Sequence, residues 1–223
     1  SQNNKFLKKI INFYHDNYKN KKNITGIWRE NLDLKFDKFI QALIKKDLSK
    51  LNSIFNNMFR LPITEGLCVG FEDFKNSKSL FGKIYIKTQF NDYLEKLKSN
   101  KINLDMLKFE NVGNPSGIKY KKNIFSIDSL RHANQAFIMT QLTSNIKEPK
   151  ILEIGSGLAG TCYQYTYSFN KNKRIKYYIV DILEVLLLSS FFLKNKPGLI
   201  FSKKTTKQNK LAKKKIFLIP KDN

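Results

Sequence analysis

The ten residues from 151 to 160, Ile-Leu-Glu-Ile-Gly-Ser-Gly-Leu-Ala-Gly, constrain the fold of this chain more than any other segment. A short apolar run leads into Gly155, Gly157 and Gly160, three of the ten glycines in the chain. Glycine permits positive φ and close approach of the backbone to a ligand. A helix that begins after such a turn presents free N–H groups and a positive dipole end to an anionic group. The segment therefore predicts the binding site of a nucleotide-type cofactor.

Strands and helices alternate along the chain after Pro149. The predicted strands cover residues 151–154, 176–180, 199–201 and 216–219, and the predicted helices cover 158–169 and 183–193. This alternation is typical of βαβ crossovers and a parallel sheet, so the predicted fold class is α/β. Ligands of such sheets bind at the carboxyl ends of the strands, which is where Gly155 and Asp181 lie in the sequence.

The first half of the chain has helical periodicity. One apolar stripe contains Phe36, Phe39, Ile40, Leu43 and Ile44, and a second contains Leu51, Ile54, Phe55, Met58 and Phe59, with Pro62 as the expected end of that helix. A further helix is expected over about residues 79–98, and its inward side chains are Phe90, Tyr93, Leu94 and Leu97. Another is expected to begin at Ser126 or Asp128 and to run to about residue 145. Its inward side chains are Leu130, Ala133, Phe137 and Leu142. Turn-forming residues over 111–117 mark a boundary between a helical region, 1–110, and the sheet region, 111–223.

Composition limits the partners that this chain is expected to have. The formal charge is +23, but only four of the 41 basic residues are arginines. Because proteins that read bases or clamp phosphates rely on the bidentate arginine fork, we expect no specific nucleic-acid partner. The seven lysines of residues 203–215 are interpreted as a solvated loop.

No segment has the features of a secretion signal or of a membrane span, and the longest apolar run, residues 185–193, is far too short to cross a bilayer. The two cysteines, Cys68 and Cys162, have neither CxxC spacing nor a histidine cluster, which argues against a disulfide scaffold and a zinc site. The predicted location is the cytoplasm.

Two cofactor classes compete for the glycine turn. The run from Gly155 to Gly160 satisfies the dinucleotide pattern GxGxxG, and Asp181 stands where an acid would accept both ribose hydroxyls. However, Glu153, two residues before the first glycine, would repel a pyrophosphate. A cofactor with a cationic amine and a sulfonium and without phosphate would instead be attracted. The spacing therefore favours S-adenosylmethionine (SAM) over a nicotinamide dinucleotide.

Four stretches give the chain a resemblance to class I SAM-dependent methyltransferases, and three of them, residues 112–117, 130–132 and 178–186, give a narrower resemblance to the sugar O-methyltransferases of bacterial surface-polysaccharide clusters. Residues 151–160 resemble the first motif of the class. Residues 112–117, Val-Gly-Asn-Pro-Ser-Gly, are similar to a Val-Gly-Asn-Pro turn, and residues 178–186 are similar to a strand followed by Asp-Leu-Pro-Glu and an apolar helix. The fourth stretch is Leu130-Arg131-His132, which stands before the helix that precedes the first motif. The chain departs from the pattern at Ser156, often glycine, and at Leu183, usually proline.

The resemblance implies a partial Rossmann-like sheet and methyl transfer from SAM to a sugar hydroxyl of a polysaccharide or its precursor. The implied cofactor contacts are Glu153, Gly155, Ser156, Gly157, Asp181 and Ile182, with Arg131 as the candidate partner of the SAM carboxylate. His132 is the candidate for the base, and no metal is expected. The two alternatives are a nicotinamide-dependent oxidoreductase and a basic RNA-associated methyltransferase.

The length of the sheet region departs from the same family. Only 73 residues follow position 150, whereas a class I sheet has seven strands, so the fourth to seventh are expected to be missing and the chain to be a fragment. Such a chain is expected to expose an edge of its first strand, to bind SAM weakly or not at all, and to catalyse no transfer.

Overall fold

The structure is a computed structural model that describes residues 2–18, 27–67, 70–107, 111–121, 123–201 and 214–220. Its helices are α1 (Gln2–Asn17), α2 (Ile27–Leu34), α3 (Asp37–Ile44), α4 (Leu48–Asn56), α5 (Gly70–Asn76), α6 (Leu80–Ser99), α7 (Ile127–Leu142), α8 (Gly160–Tyr163) and α9 (Leu183–Phe192). Its strands are β1 (Ile118–Tyr120), β2 (Asn123–Phe125), β3 (Lys150–Ile154), β4 (Ile175–Asp181), β5 (Leu199–Phe201) and β6 (Lys214–Pro220). A π-helical segment, Gln164–Phe169, continues α8.

Four of these strands form one parallel sheet in the order β3-β4-β6-β5, while β1 and β2 form a separate antiparallel pair. The helices α8 and α9 follow β3 and β4 in the chain, so each connects parallel strands, as a crossover must. The α/β class predicted from the alternation is therefore confirmed. The predicted strands agree with the observed ones to within two residues at each end.

The two faces of this sheet differ in their burial. Tyr177 pairs with Ile216, and Ile179 pairs with Leu218; all four side chains point to one face and are buried. On the opposite face, at the outer strand β3, Leu152 and Ile154 are 62% and 76% exposed. Within the described residues, β3 pairs only with β4.

The buried face of the sheet shares its core with the N-terminal helices. The ring of Phe55 in α4 stacks on Phe191 in α9 with centroids 4.3 Å apart, and Phe13 of α1 meets Phe201 of β5 edge-on. One continuous cluster of buried side chains joins α1, α3 and α4 to β4, β6 and α9. The core thus spans both regions, and the boundary at 110 remains a prediction.

Several local expectations require correction. Pro62 does not end α4, which stops at Asn56; it begins a separate 3-10 turn, Pro62–Thr64. Leu142 and Ile44 lie at the ends of their helices and are exposed rather than inward. By contrast, Ser126 caps α7 as expected, through a capping box with Ser129. Within the described residues, no helix has the length and apolar character needed to cross a membrane.

Candidate functional site

The glycine turn connects β3 to α8 through three residues with left-handed backbone. Gly155 and Gly157 have φ of +70° and +55°, and Ala159, which precedes α8, has φ of +61°. Such angles are easy for glycine and costly for alanine, so Ala159 stores backbone strain at the start of the helix. The left-handed Ala159 also delays the helix, which begins at Gly160 rather than at the predicted Leu158.

The two glycines of this turn have different surroundings. A Cβ on Gly155 would have no neighbour within 4 Å, so open space lies in front of this residue. A Cβ on Gly157 would collide with the carbonyl oxygen of Leu67. Gly157 is also held from the other side, because Ser189 Oγ of α9 donates to its carbonyl oxygen over 2.7 Å. Gly155 is therefore open to a ligand, whereas Gly157 is required by packing.

Asp181 ends β4 next to the glycine turn. The N–H of Gly155 donates to the carbonyl oxygen of Val180 over 2.9 Å, which joins the ends of the two strands. Asp181 Oδ1 accepts the backbone N–H of Ile182 over 2.8 Å. Burial raises the pKa of Asp181 to about 6, although the backbone N–H groups of Ile182, Gly157 and Ser156 favour its charged form.

Glu153 lies beneath the turn on the same face of the sheet as Asp181. Glu153 pairs with Ile179 across the β3–β4 ladder, and Asp181 follows Ile179 by two residues, so both acids point to one side. The hydroxyl of Tyr177 donates to Glu153 Oε2 over 2.9 Å. Burial, together with the charge of Asp181, raises the pKa of Glu153 to about 7, against the effect of the Tyr177 hydrogen bond. Two carboxylates thus flank the turn at adjacent strand ends.

A narrow crevice with an accessible volume of about 50 Å³ lies on the α7 side of the turn. Segments distant in the sequence line it: Phe59, Pro115, Ser116, Ile124, Ser126, Asp128, Ser129, His132, Leu158, Gly160 and Phe192. Three of the stretches noted in the sequence therefore meet here: the Asn-Pro turn, the start of α7 and the glycine turn. Its lining is mostly apolar, with serine hydroxyls, Asp128 and His132 as the polar groups.

His132 packs its ring against Gly160, where a Cβ would clash with Nδ1. Burial lowers the pKa of His132 to about 4, so the imidazole is neutral at pH 7. Arg131, on the other hand, forms an ion pair with Asp128 at 2.6 Å. The structure thus places His132 in the crevice and Arg131 in a salt bridge within α7.

Ser156 and Ile182 are both buried beside the turn. The hydroxyl of Ser156 is buried and has no hydrogen-bond partner in the part of the chain that the structure describes. A buried polar group without a partner is rare in native proteins, so this hydroxyl is a candidate for a hydrogen bond to a ligand. Ile182 contributes its N–H to Asp181, while its side chain is part of the core.

Sequence analysis missed three residues that shape the site. Tyr177 holds Glu153, Ser189 holds the turn at Gly157, and Leu67 packs against it. Of the three, only Ser189 could have been noticed in the sequence, because a serine within the apolar run 185–193 needs a hydrogen-bond partner for its hydroxyl. The other two contacts join residues far apart in the chain.

Comparisons with protein-family models, with curated proteins and with solved structures give no match for this chain. Within the described residues, no three His, Cys, Asp or Glu side chains are grouped closely enough to hold a metal ion.

Proposed function

We propose that the glycine turn binds SAM and that the protein is a methyltransferase whose acceptor is a sugar hydroxyl. The observation that carries the proposal is the position of Glu153 and Asp181, two carboxylates on one face of the sheet at the carboxyl ends of adjacent strands. The sugar acceptor rests on the family resemblance of residues 111–194. A partial Rossmann-like sheet is part of the same proposal.

The two carboxylates favour SAM over a dinucleotide for an electrostatic reason. SAM has an ammonium and a sulfonium group, which the negative charge at this turn attracts. A dinucleotide would bring a pyrophosphate to the same strand end, where Glu153 and Asp181 repel it. Arg131, which was the candidate cation for this site, is paired with Asp128.

The remaining groups of the turn also suit SAM. Asp181 offers two acceptor oxygens for a ribose diol. The open space at Gly155 leaves room for a ligand to contact the backbone, and the unpartnered Ser156 hydroxyl provides a further hydrogen-bonding group.

Methyl transfer to a hydroxyl requires alignment and a group that takes the hydroxyl proton. SAM, when bound, supplies an electrophilic methyl carbon. His132 is the candidate proton acceptor, because its imidazole is neutral at pH 7 and lines the crevice beside the turn. The charge of Asp128, which lines the same crevice, favours the protonated form of His132 and would stabilise it after proton transfer.

Ligand binding tests the cofactor. Saturation-transfer NMR and calorimetry at pH 8, where both acids are ionised, should rank SAM and S-adenosylhomocysteine above NAD⁺. Asp181→Asn should weaken SAM binding by about tenfold or more, because a hydrogen bond to a charged acceptor is lost. The matched control is Asp105→Asn, an exposed acid paired with Lys121, which should leave binding unchanged. Tighter binding of NAD⁺, or equal losses in both variants, would contradict the proposal.

Acceptor binding is tested separately, with S-adenosylhomocysteine present. Methyl glycosides should give saturation transfer from the crevice, and Phe59→Ala should reduce it because Phe59 forms part of the crevice wall. The control is Phe81→Ala, a highly exposed phenylalanine outside the crevice. If glycosides bind equally to both variants, the crevice is not the acceptor site.

A further inference from the structure

Helix α6 carries an exposed apolar stripe that the proposed function does not use. Leu80, Phe81, Ile84 and Tyr85 are 72%, 84%, 55% and 51% exposed. Positions 80 and 84, and positions 81 and 85, lie one helical turn apart, so the four side chains form one continuous surface. We call this surface the α6 patch.

The patch is not the inward side of the helix. The inward side contains Ile86, Phe90 and Leu97, which are buried, and α6 packs there against α7. Because α6 is apolar on both of these sides, its packing in the fold does not explain the four exposed residues. Contiguous exposed apolar surfaces rimmed by polar residues are typical of contacts with a protein or a membrane.

The charge next to the patch distinguishes between these partners. Lys83 and Lys87 lie one turn apart along its edge and are exposed, and the first acid of the helix is Asp92, almost two turns after Tyr85. A second copy of a chain with a formal charge of +23 would be repelled. An anionic surface would be attracted.

We propose that the α6 patch binds the surface of an anionic lipid bilayer, with the first turns of α6 lying in the headgroup plane. Leucine, isoleucine and phenylalanine side chains enter the boundary of the acyl chains, while the lysines contact the anionic headgroups. Tyr85 is suited to this depth, because its ring is apolar and its hydroxyl stays hydrated. The proposal is independent of the cofactor.

Vesicle co-sedimentation tests the proposal with the whole chain. Vesicles of phosphatidylcholine and phosphatidylglycerol should bind the protein, and vesicles of phosphatidylcholine alone should bind it much more weakly. Leu80→Gln with Phe81→Gln should lower the partition coefficient by roughly tenfold or more. The matched control, Ile138→Gln with Leu142→Gln, removes two other exposed apolar side chains and should leave the partition unchanged.

Charge is tested by a second pair of variants. Lys83→Gln with Lys87→Gln should lower binding to the anionic vesicles by about fivefold per lysine. Lys5→Gln with Lys8→Gln removes the same charge from exposed positions of α1 and should have a clearly smaller effect. Equal losses from the two pairs would mean that net charge alone attracts the protein to the vesicles, which would overturn the proposal.

Fluorescence locates the contact. In a Trp28→Phe background, Phe81→Trp should shift its emission to the blue when anionic vesicles are added, and Leu142→Trp should not. An unchanged Phe81→Trp spectrum would refute insertion of the patch. Concentration-dependent dimers that form without lipid and disappear in Leu80→Gln with Phe81→Gln would instead identify the patch as an interface between copies.

Discussion

Replacing Glu153 by glutamine tests the electrostatics of the candidate site without any ligand. Glutamine has almost the same shape and retains a carbonyl oxygen that can accept the Tyr177 hydroxyl, but it carries no charge. Glu153 is largely buried beneath the turn and lies near a second acid, Asp181, so its pKa rises from the ordinary 4.5 to about 7. The substitution therefore removes a charge that the fold disfavours.

The size of the effect follows from the shift in pKa. Between pH 4.5 and 7 the folded protein keeps a proton on Glu153 that the unfolded chain loses, so the folded state loses stability as the pH rises through this window. Each pKa unit corresponds to about 1.4 kcal/mol, which gives an upper limit of about 3 kcal/mol above pH 7. Because water reaches part of this side chain, we expect Glu153→Gln to be more stable than the wild type by about 1–3 kcal/mol at pH 8, and nearly equal in stability at pH 4.5.

Urea denaturation at pH 4.5, 6 and 8 measures the difference. The titrations of Asp73 and Asp181, whose pKa values are also raised, occur in both proteins and largely cancel. The matched control is Glu148→Gln, which removes an exposed glutamate that pairs with Arg174. Its stability difference from the wild type should vary little with pH, because an exposed pair contributes little.

The opposite sign would refute the reasoning. If Glu153→Gln is less stable than the wild type at pH 8, the carboxylate is stabilised by its surroundings, and the pKa cannot be raised. A difference that is the same at all three pH values would show that the substitution changes packing rather than charge. In either case, the predicted rise of SAM affinity between pH 6 and pH 8 would lose its basis.

Three further predictions concern the turn. Gly157→Ala should lower the free energy of unfolding by about 2 kcal/mol or more, because φ is positive there and the new methyl group meets the Leu67 carbonyl. Gly155 also has positive φ but faces open space, so Gly155→Ala should lower the free energy of unfolding by only about 1 kcal/mol. Urea denaturation compares the two variants. Ser189→Ala should cost about 1 kcal/mol through the lost hydrogen bond to Gly157, measured in the same way. SAM affinity, measured by calorimetry, should rise by about tenfold from pH 6 to pH 8 as Glu153 ionises, and Glu153→Gln should flatten this dependence.

The local pattern of the sequence predicted where the strands lie, but it predicted less well which side chains of the helices are buried. The strands β3 and β4 are short apolar runs bounded by turn residues, and such runs are visible without a structure. Ile44, by contrast, lies one turn after the buried Ile40 of α3 and is exposed all the same. Periodicity shows which side chains share a face, but it does not show how far the neighbouring elements cover that face.

The candidate site shows the same limit. Glu153, the glycines and Asp181 were predicted as site residues because each lies where an apolar run ends in a turn, a pattern that is visible in a short segment. The pKa of Glu153 depends on Tyr177 in the next strand and on burial, and neither is visible in the ten residues of the turn. The left-handed Ala159 is likewise set by its context, because alanine has no preference for such a backbone.

The N-terminal helical region forms part of the candidate site. Arg60 donates from Nε and a terminal nitrogen to the carbonyl oxygens of Asn114 and Pro115, which fixes the Asn-Pro turn at the crevice. Phe59, its neighbour, lines the crevice itself, and Leu67 packs against the glycine turn. The segment between α4 and α5, which contains two 3-10 turns, thus contributes to the crevice wall, while β3 and β4 supply the carboxylates. Since these two parts come from different regions of the chain, substitutions in residues 57–67 should alter acceptor binding while the cofactor contacts of β3 and β4 stay in place.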